Sequence, residues 1–107
     1  MSRLRAVRAS QGLPAISERD FQQAVIEYAR LTHWRCYHTL RSQGSEPGYP
    51  DLCMVRDDRI IYAELKTEKG RVSPAQRDWL DALERSGLVE VYIWRPSSWP
   101  EIETVLR

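Results

Sequence analysis

The sequence predicts an α/β fold in which a small mixed β-sheet is flanked by helices in the order α-β-β-β-α-β-α. Three observations carry this expectation. Two stretches have helical apolar spacing, each behind a capping residue. Two short apolar strands flank the turn pair Asp57-Asp58. A helical stretch separates the third strand from the last, and such a crossover implies a parallel pairing.

The first helix is expected over residues 18 to 31. Ser17 is its N-cap, Asp20 the acidic N3 residue, and Ile16 a staple onto Phe21. Phe21, Ala24, Val25 and Tyr28 recur three and four apart, so they form one buried face. Thr32 and His33 close the helix, and residues 34 to 40 read as a strand. Two glycines and two prolines then fall within residues 44 to 50, which makes RSQGSEPGYP a loop.

Asp51 opens a strand that runs to Arg56, and residues 59 to 66 return as its hairpin partner. Alternation puts Ile60, Tyr62, Glu64 and Lys66 on one face of that partner, with Ile61, Ala63 and Leu65 on the other. Residues 67 to 72 form a polar loop that turns at Gly70. Ser73, Pro74 and Gln76 make the clearest helix start in the chain, a capping box with proline at N1. Trp79, Ala82 and Leu83 are the expected buried stripe of this helix, and Gly87 its terminator. Residues 89 to 94 read as a buried strand stopped by Pro96. Ser98 and Glu101 form a second capping box ahead of Ile102, Val105 and Leu106.

With 107 residues the chain has room for one hydrophobic core. We expect a single domain over 14–107 behind a flexible basic arm at 1–13, where Arg3, Arg5 and Arg8 alternate with small residues. A net charge of +1 does not announce nucleic-acid binding, so any such role needs a local basic patch. Cys36 and Cys53 form no CxxC pair, which argues against a zinc knuckle, and both read as buried thiols of a reducing compartment. The basic start lacks an apolar stretch behind it, so no secretory signal is expected and a cytoplasmic location is the default.

The chemistry is carried by Pro50-Asp51, twelve residues, then Glu64-Leu65-Lys66. Asp51 lies six residues before Asp57, and Glu64 six residues after Asp58. A tight hairpin therefore brings the two carboxylates side by side at one sheet edge, with Lys66 facing the same way as Glu64. Two carboxylates suit a hard cation such as Mg²⁺, and the Leu65 carbonyl can add an oxygen. Lys66, held charged by its acidic neighbours, offsets charge rather than acting as a base. A lone Glu-x-Lys on a strand is more often a solvated ion pair, and it is the hairpin count that favours chemistry.

Together these motifs resemble the PD-(D/E)xK nuclease superfamily and, within it, the VRR-NUC family. The resemblance runs from Ser17 to Pro96. It takes in Ser17, Glu18 and Gln22; Gly48-Tyr49-Pro50-Asp51; Ala63-Glu64-Leu65-Lys66-Thr67; Lys69 through Gln76; and Val91-Tyr92-Ile93-Trp94-Arg95-Pro96. It implies a restriction-endonuclease-like core and hydrolysis of DNA phosphodiesters with Mg²⁺ or Mn²⁺. It casts Asp51, Glu64 and Lys66 as the catalytic trio, Glu18 as a further metal ligand and Gln76 as a further catalytic motif residue, a role that competes with its place in the Ser73 capping box. Gln22 is a weaker match. Lys69 and Arg71, with Arg41 and Ser42 in the earlier loop, are candidate DNA-backbone contacts. His38 is expected to be a bystander near the same cleft.

Short stand-alone members of the family resemble bacterial or phage proteins that dimerise on branched DNA such as four-way junctions. Trp34, Trp94 and Trp99, with Tyr37 and Tyr92, are many large aromatics for one small core. They serve either an interface or internal packing, and the resemblance favours a homodimer. The competing function is a DNA-binding or assembly module without nuclease turnover.

Overall fold

The computed structural model of the protein describes Arg3, Arg5 and residues 16–39 and 46–107. The elements follow the expected order. Helix α1 spans Glu18–Leu31, strand β1 Arg35–His38, β2 Leu52–Arg56, β3 Arg59–Leu65, helix α2 Pro74–Ser86, strand β4 Glu90–Trp94 and helix α3 Trp99–Leu106, with a 3₁₀ turn at Pro96–Ser98 before α3. Most of the arm expected at 1–13 lies outside the described residues. Arg3 and Arg5 are helical, and Arg3 pairs with Asp20 at 3.3 Å on the surface.

The sheet order is β1-β2-β3-β4, antiparallel except for the parallel β3–β4 pair. The β2–β3 hairpin closes through Asp57-Asp58, and Asp57 adopts φ +55°, a conformation that aspartate tolerates better than bulkier residues. Arg56 faces Arg59 and Leu52 faces Ala63, so the next pair outward is Asp51 and Glu64. Parallel β4 is anchored at its start by Arg59, whose guanidinium grips Glu90 through two bonds of 2.7 and 2.8 Å.

One sheet face is the core. Phe21, Ala24, Val25 and Ala29 of α1 and Trp99, Ile102 and Leu106 of α3 pack on Leu52, Met54, Ile61, Ala63, Leu65 and Trp94. Ile16 packs against this cluster, as a residue ahead of the Ser17 cap should. Helix α2 takes the opposite face. Tyr62 points away from Ile61 and Ala63, and the Tyr49 ring meets both Tyr62 and Trp79 edge-on, at 5.9 and 5.1 Å.

Five expectations need correction. Ala82 is exposed and Leu80 is the buried residue of α2, because the helix is turned to set Leu80 inward, with Trp79 and Leu83 half-buried beside it. Strand β4 is half-buried apart from Trp94, because it lies at the sheet edge. Ser98 does not cap α3; its hydroxyl accepts from the Arg95 N–H and closes the 3₁₀ turn. Trp34, Trp94 and Trp99 are all buried in the core, so the aromatic surplus is spent internally and only Tyr37 stands well exposed. Both cysteines are half-buried rather than buried.

Loop and helix approach closely at Gly48. It has φ +91°, and a Cβ there would overlap the Ala75 carbonyl and lie 2.7 Å from Gln76 N. Gly48→Ala combines a disfavoured φ with a collision against backbone. We expect it to destabilise the fold by roughly 3 kcal/mol or more. Gly87→Ala, at φ +68° with open space around it, should cost only about 1 kcal/mol. Urea unfolding of the two variants checks this; equal losses would mean that the contact with α2 is not what demands glycine at position 48.

Candidate active site

The Pro50-Asp51 step delivers an acid to the end of the sheet. Asp51 stands one residue ahead of β2, and its backbone is held there because its carbonyl accepts from the Thr39 N–H at 3.0 Å. Its carboxylate accepts from the Leu65 N–H at 2.8 Å, across the hairpin. Glu64, directly opposite, is 1% exposed. Lys66 leaves the sheet on the same face and places Nζ 3.2 Å from Glu64 Oε2. The trio read from the sequence is therefore assembled: two carboxylates face each other and the lysine bridges to one of them.

The electrostatics of the pair are unfavourable for two bare anions. Burial first, and the Asp51 charge second, push the Glu64 carboxyl up to about 7 from an ordinary 4.5, against the pull of Lys66 and the Asp51 backbone. Asp51 is also raised, by burial above all, although the Leu65 N–H, Lys66 and His38 all draw it down. Glu64 Oε1 is buried without a hydrogen-bond partner among the described residues. An orphaned carboxylate oxygen beside a second carboxylate is the donor chemistry that a hard divalent cation satisfies, so these residues fit such an ion.

The other candidates stand at varying distance from this trio. Glu18 is exposed in the first turn of α1, and no group of three or more acidic, histidine or cysteine side chains converges among the described residues. Leu65 meets Asp51 through its N–H. Gln76 forms the capping box: its Oε1 accepts from Ser73 N at 2.9 Å, and its own N–H donates to Ser73 Oγ at 3.1 Å. Lys69 and Arg71 are exposed on the loop after β3. Arg41 and Ser42 lie outside the described residues.

Two features escaped the sequence. His38 is tied to Gln22, with Nε2 3.0 Å from Oε1, and it lies near enough to Asp51 to favour the ionised form of that carboxyl. The signal was available in the side-by-side placement of a strand end and the first helix, but a lone histidine carries no partner label. Arg95 reaches from the end of β4 to the loop that follows Lys66. The parallel register that pairs Leu65 with Trp94 is what puts it there.

Comparison with known proteins gives one family match and two similar folds. The VRR-NUC domain family model matches residues 11–95. A solved VRR_NUC domain protein superposes with TM-score 0.66 at 17% identity, covering 88% of this chain and 88% of its own. Archaeoglobus fulgidus Hjc, a Holliday junction resolvase from an archaeal hyperthermophile, superposes with TM-score 0.56 at 17% identity, over 70% of this chain and 63% of that one. No curated protein sequence matches. The fold is restriction-endonuclease-like.

The raised Glu64 has a consequence for stability. A carboxyl that holds its proton more tightly when folded favours the folded state fully below pH 4.5, and that contribution is lost as pH rises through about 7. Metal-free protein should therefore lose thermal stability between pH 5 and 8, while Glu64→Gln, neutral throughout, should not show this loss. A carboxyl raised from 4.5 to about 7 contributes roughly 2–3 kcal/mol, so the difference should reach roughly 10 °C in a domain this small. Parallel melting curves in chelator would contradict the assigned cause.

Proposed function

The chain belongs to the VRR-NUC domain family, and from that premise we propose that it is a metal-dependent endonuclease that hydrolyses DNA phosphodiester bonds. The observation that carries this reading is the buried Glu64 carboxylate, opposed to Asp51 across the hairpin and bridged by Lys66. Asp51 and Glu64 are the residues that would hold a divalent ion, Mg²⁺ or Mn²⁺, with the Leu65 carbonyl and Glu18 as further oxygen donors. Such an ion, when bound, polarises a phosphate oxygen and acidifies water. The Lys66 ammonium, half-buried beside Glu64, opposes the negative charge that builds on the phosphate during attack. The Leu65 N–H fixes one Asp51 oxygen and so orients the carboxylate. Gln76 sets the start of α2 and through it the helix beside the Tyr49–Trp79 contact.

The substrate we propose is branched DNA, with four-way junctions foremost. The shared fold of a Holliday junction resolvase supports this. So does a structural argument: α1, α2 and α3 all pack against the rest of the fold, so none of these three stands free to enter a groove and read bases. Lys69 and Arg71, with Arg41 and Ser42, would take the sugar-phosphate backbone and place it on the trio. We propose a homodimer, because a junction offers two strands to cut and each chain supplies one trio.

Asp51→Asn, Glu64→Gln and Lys66→Ala should each reduce cleavage of a four-way junction at least 100-fold, about 2.7 kcal/mol in the barrier. Lys66→Ala should retain Mn²⁺ binding in calorimetry, while the two carboxylate variants weaken it. Cleavage by wild type should vanish in chelator. Full activity in chelator, or in Lys66→Ala, would defeat the nuclease assignment at this site, and junction binding without cleavage in any divalent ion would favour a module without turnover.

The dimer is checked by light scattering at micromolar concentration, with and without junction DNA, where twice the 12.5 kDa chain mass is expected. A 12.5 kDa species that cleaves junctions at full rate would remove the dimer.

A further inference from the structure

The loop after β3 is held by a residue to which no role has been given. Arg95 follows β4 directly, one step beyond the Leu65–Trp94 pair. Its Nη1 donates to the carbonyl oxygens of Thr67 at 2.6 Å and Gly70 at 2.7 Å, and more loosely to Glu68 at 3.3 Å. The Gly70 N–H donates back to Thr67 O at 3.2 Å, so residues 67–70 form a turn with Glu68 and Lys69 at its tip. The latch is reciprocal: the Glu68 carboxylate accepts from the Ser97 N–H, at the 3₁₀ turn that Arg95 opens. Two turns that leave the same end of the parallel β3–β4 pair are thereby locked to each other.

The arrangement spends a guanidinium on three backbone carbonyls, with no carboxylate ion pair from it among the described residues. Carbonyls that converge on one guanidinium nitrogen, itself carried by the end of a strand, hold the turn in one shape. What the turn displays outward is Lys69, with Arg71 just beyond Gly70, both exposed. Lys66, at the root of the same loop, lies against Glu64.

We propose that Arg95 is a positioning residue for DNA: it fixes the Thr67–Gly70 turn so that Lys69 and Arg71 meet the backbone of the strand to be cut. This rests on the nuclease reading and on phosphate contact by those two side chains. Arg95 itself acts through the loop and not on the phosphate. A fixed pair of cations binds with less ordering cost than a pair on a loose loop, so release of the turn lowers affinity without removing the charges that bind.

The test is a cycle on a four-way junction oligonucleotide in chelator, where binding is read without cleavage. Affinity is measured against salt for wild type, Arg95→Ala, Lys69→Ala with Arg71→Ala, and the combination of all three. The double variant should lower the salt slope by about 2, near 1 for each lost contact. Arg95→Ala should weaken binding roughly tenfold with a shallower slope, and should add nothing in the double-variant background. With Mg²⁺, it should raise KM while kcat at saturating junction stays within about threefold. Arg95→Lys keeps the charge and lacks the planar guanidinium; it should show a partial loss that is also absent in the double-variant background, and it carries the test if alanine does not fold.

If Arg95→Ala lowers the slope equally in both backgrounds, Arg95 binds phosphate directly and the proposal is overturned. A collapse of kcat at unchanged KM also overturns it, because the residue would then serve the chemistry of Lys66. If the double variant binds with wild-type slope, the loop does not touch DNA; phosphate contact fails and the proposal falls with it, while cleavage by wild type still reports separately on the nuclease reading.

Discussion

The site depends on the register of one hairpin. Two residues, Asp57 and Asp58, close β2 onto β3, and the count from that turn sets Asp51 across from Glu64. A slip by one residue would reverse the facing of every side chain on one strand. It would drive Leu52 and Met54 out of the core and separate the carboxylates at the same time. The core residues Ile61, Ala63 and Leu65, all fully buried, therefore guard the carboxylate pair: register is enforced by apolar burial on one face and used by charges on the other.

That coupling explains how an unfavourable cluster persists. Glu64 is buried beside a second acid, which raises its affinity for a proton, and Lys66 offsets only part of this. Such local strain is tolerable because the surrounding β2–β3–β4 ladder and the α1–α3 packing are satisfied independently of it. The parallel β3–β4 pair adds a second function. It carries Arg95 to the loop after Lys66, so the strand that carries Glu64 and the strand that steadies the loop after it are neighbours by register.

The division of the two sheet faces follows the same logic. Helices α1 and α3 bury the apolar face, while α2 covers the other through the Tyr49–Trp79 and Tyr49–Tyr62 contacts. Gly48 lets the loop before Asp51 approach the start of α2 closely. The acid, the loop and the capped helix start thus form one packed unit beside the trio, and the Ser73–Gln76 box belongs to its frame.

Several features of this chain follow from local chemistry alone. The helix starts at Ser17 and Ser73, the stop at Gly87, the Asp57-Asp58 turn and the alternation through β3 are each set by residues within a few positions of one another. The Asp51–Glu64–Lys66 trio was legible for the same reason, since its geometry follows from counting along a single hairpin. Tertiary structure decided the rest. The inward turn of Leu80 in place of Ala82, the half-burial of β4, the internal use of Trp34, Trp94 and Trp99, and the Gln22–His38 pair all depend on which elements lie against which. The Arg95 latch joins residues 25 to 28 positions apart through a parallel crossover. No periodicity encodes such a contact, because its partners are backbone carbonyls, which every residue has.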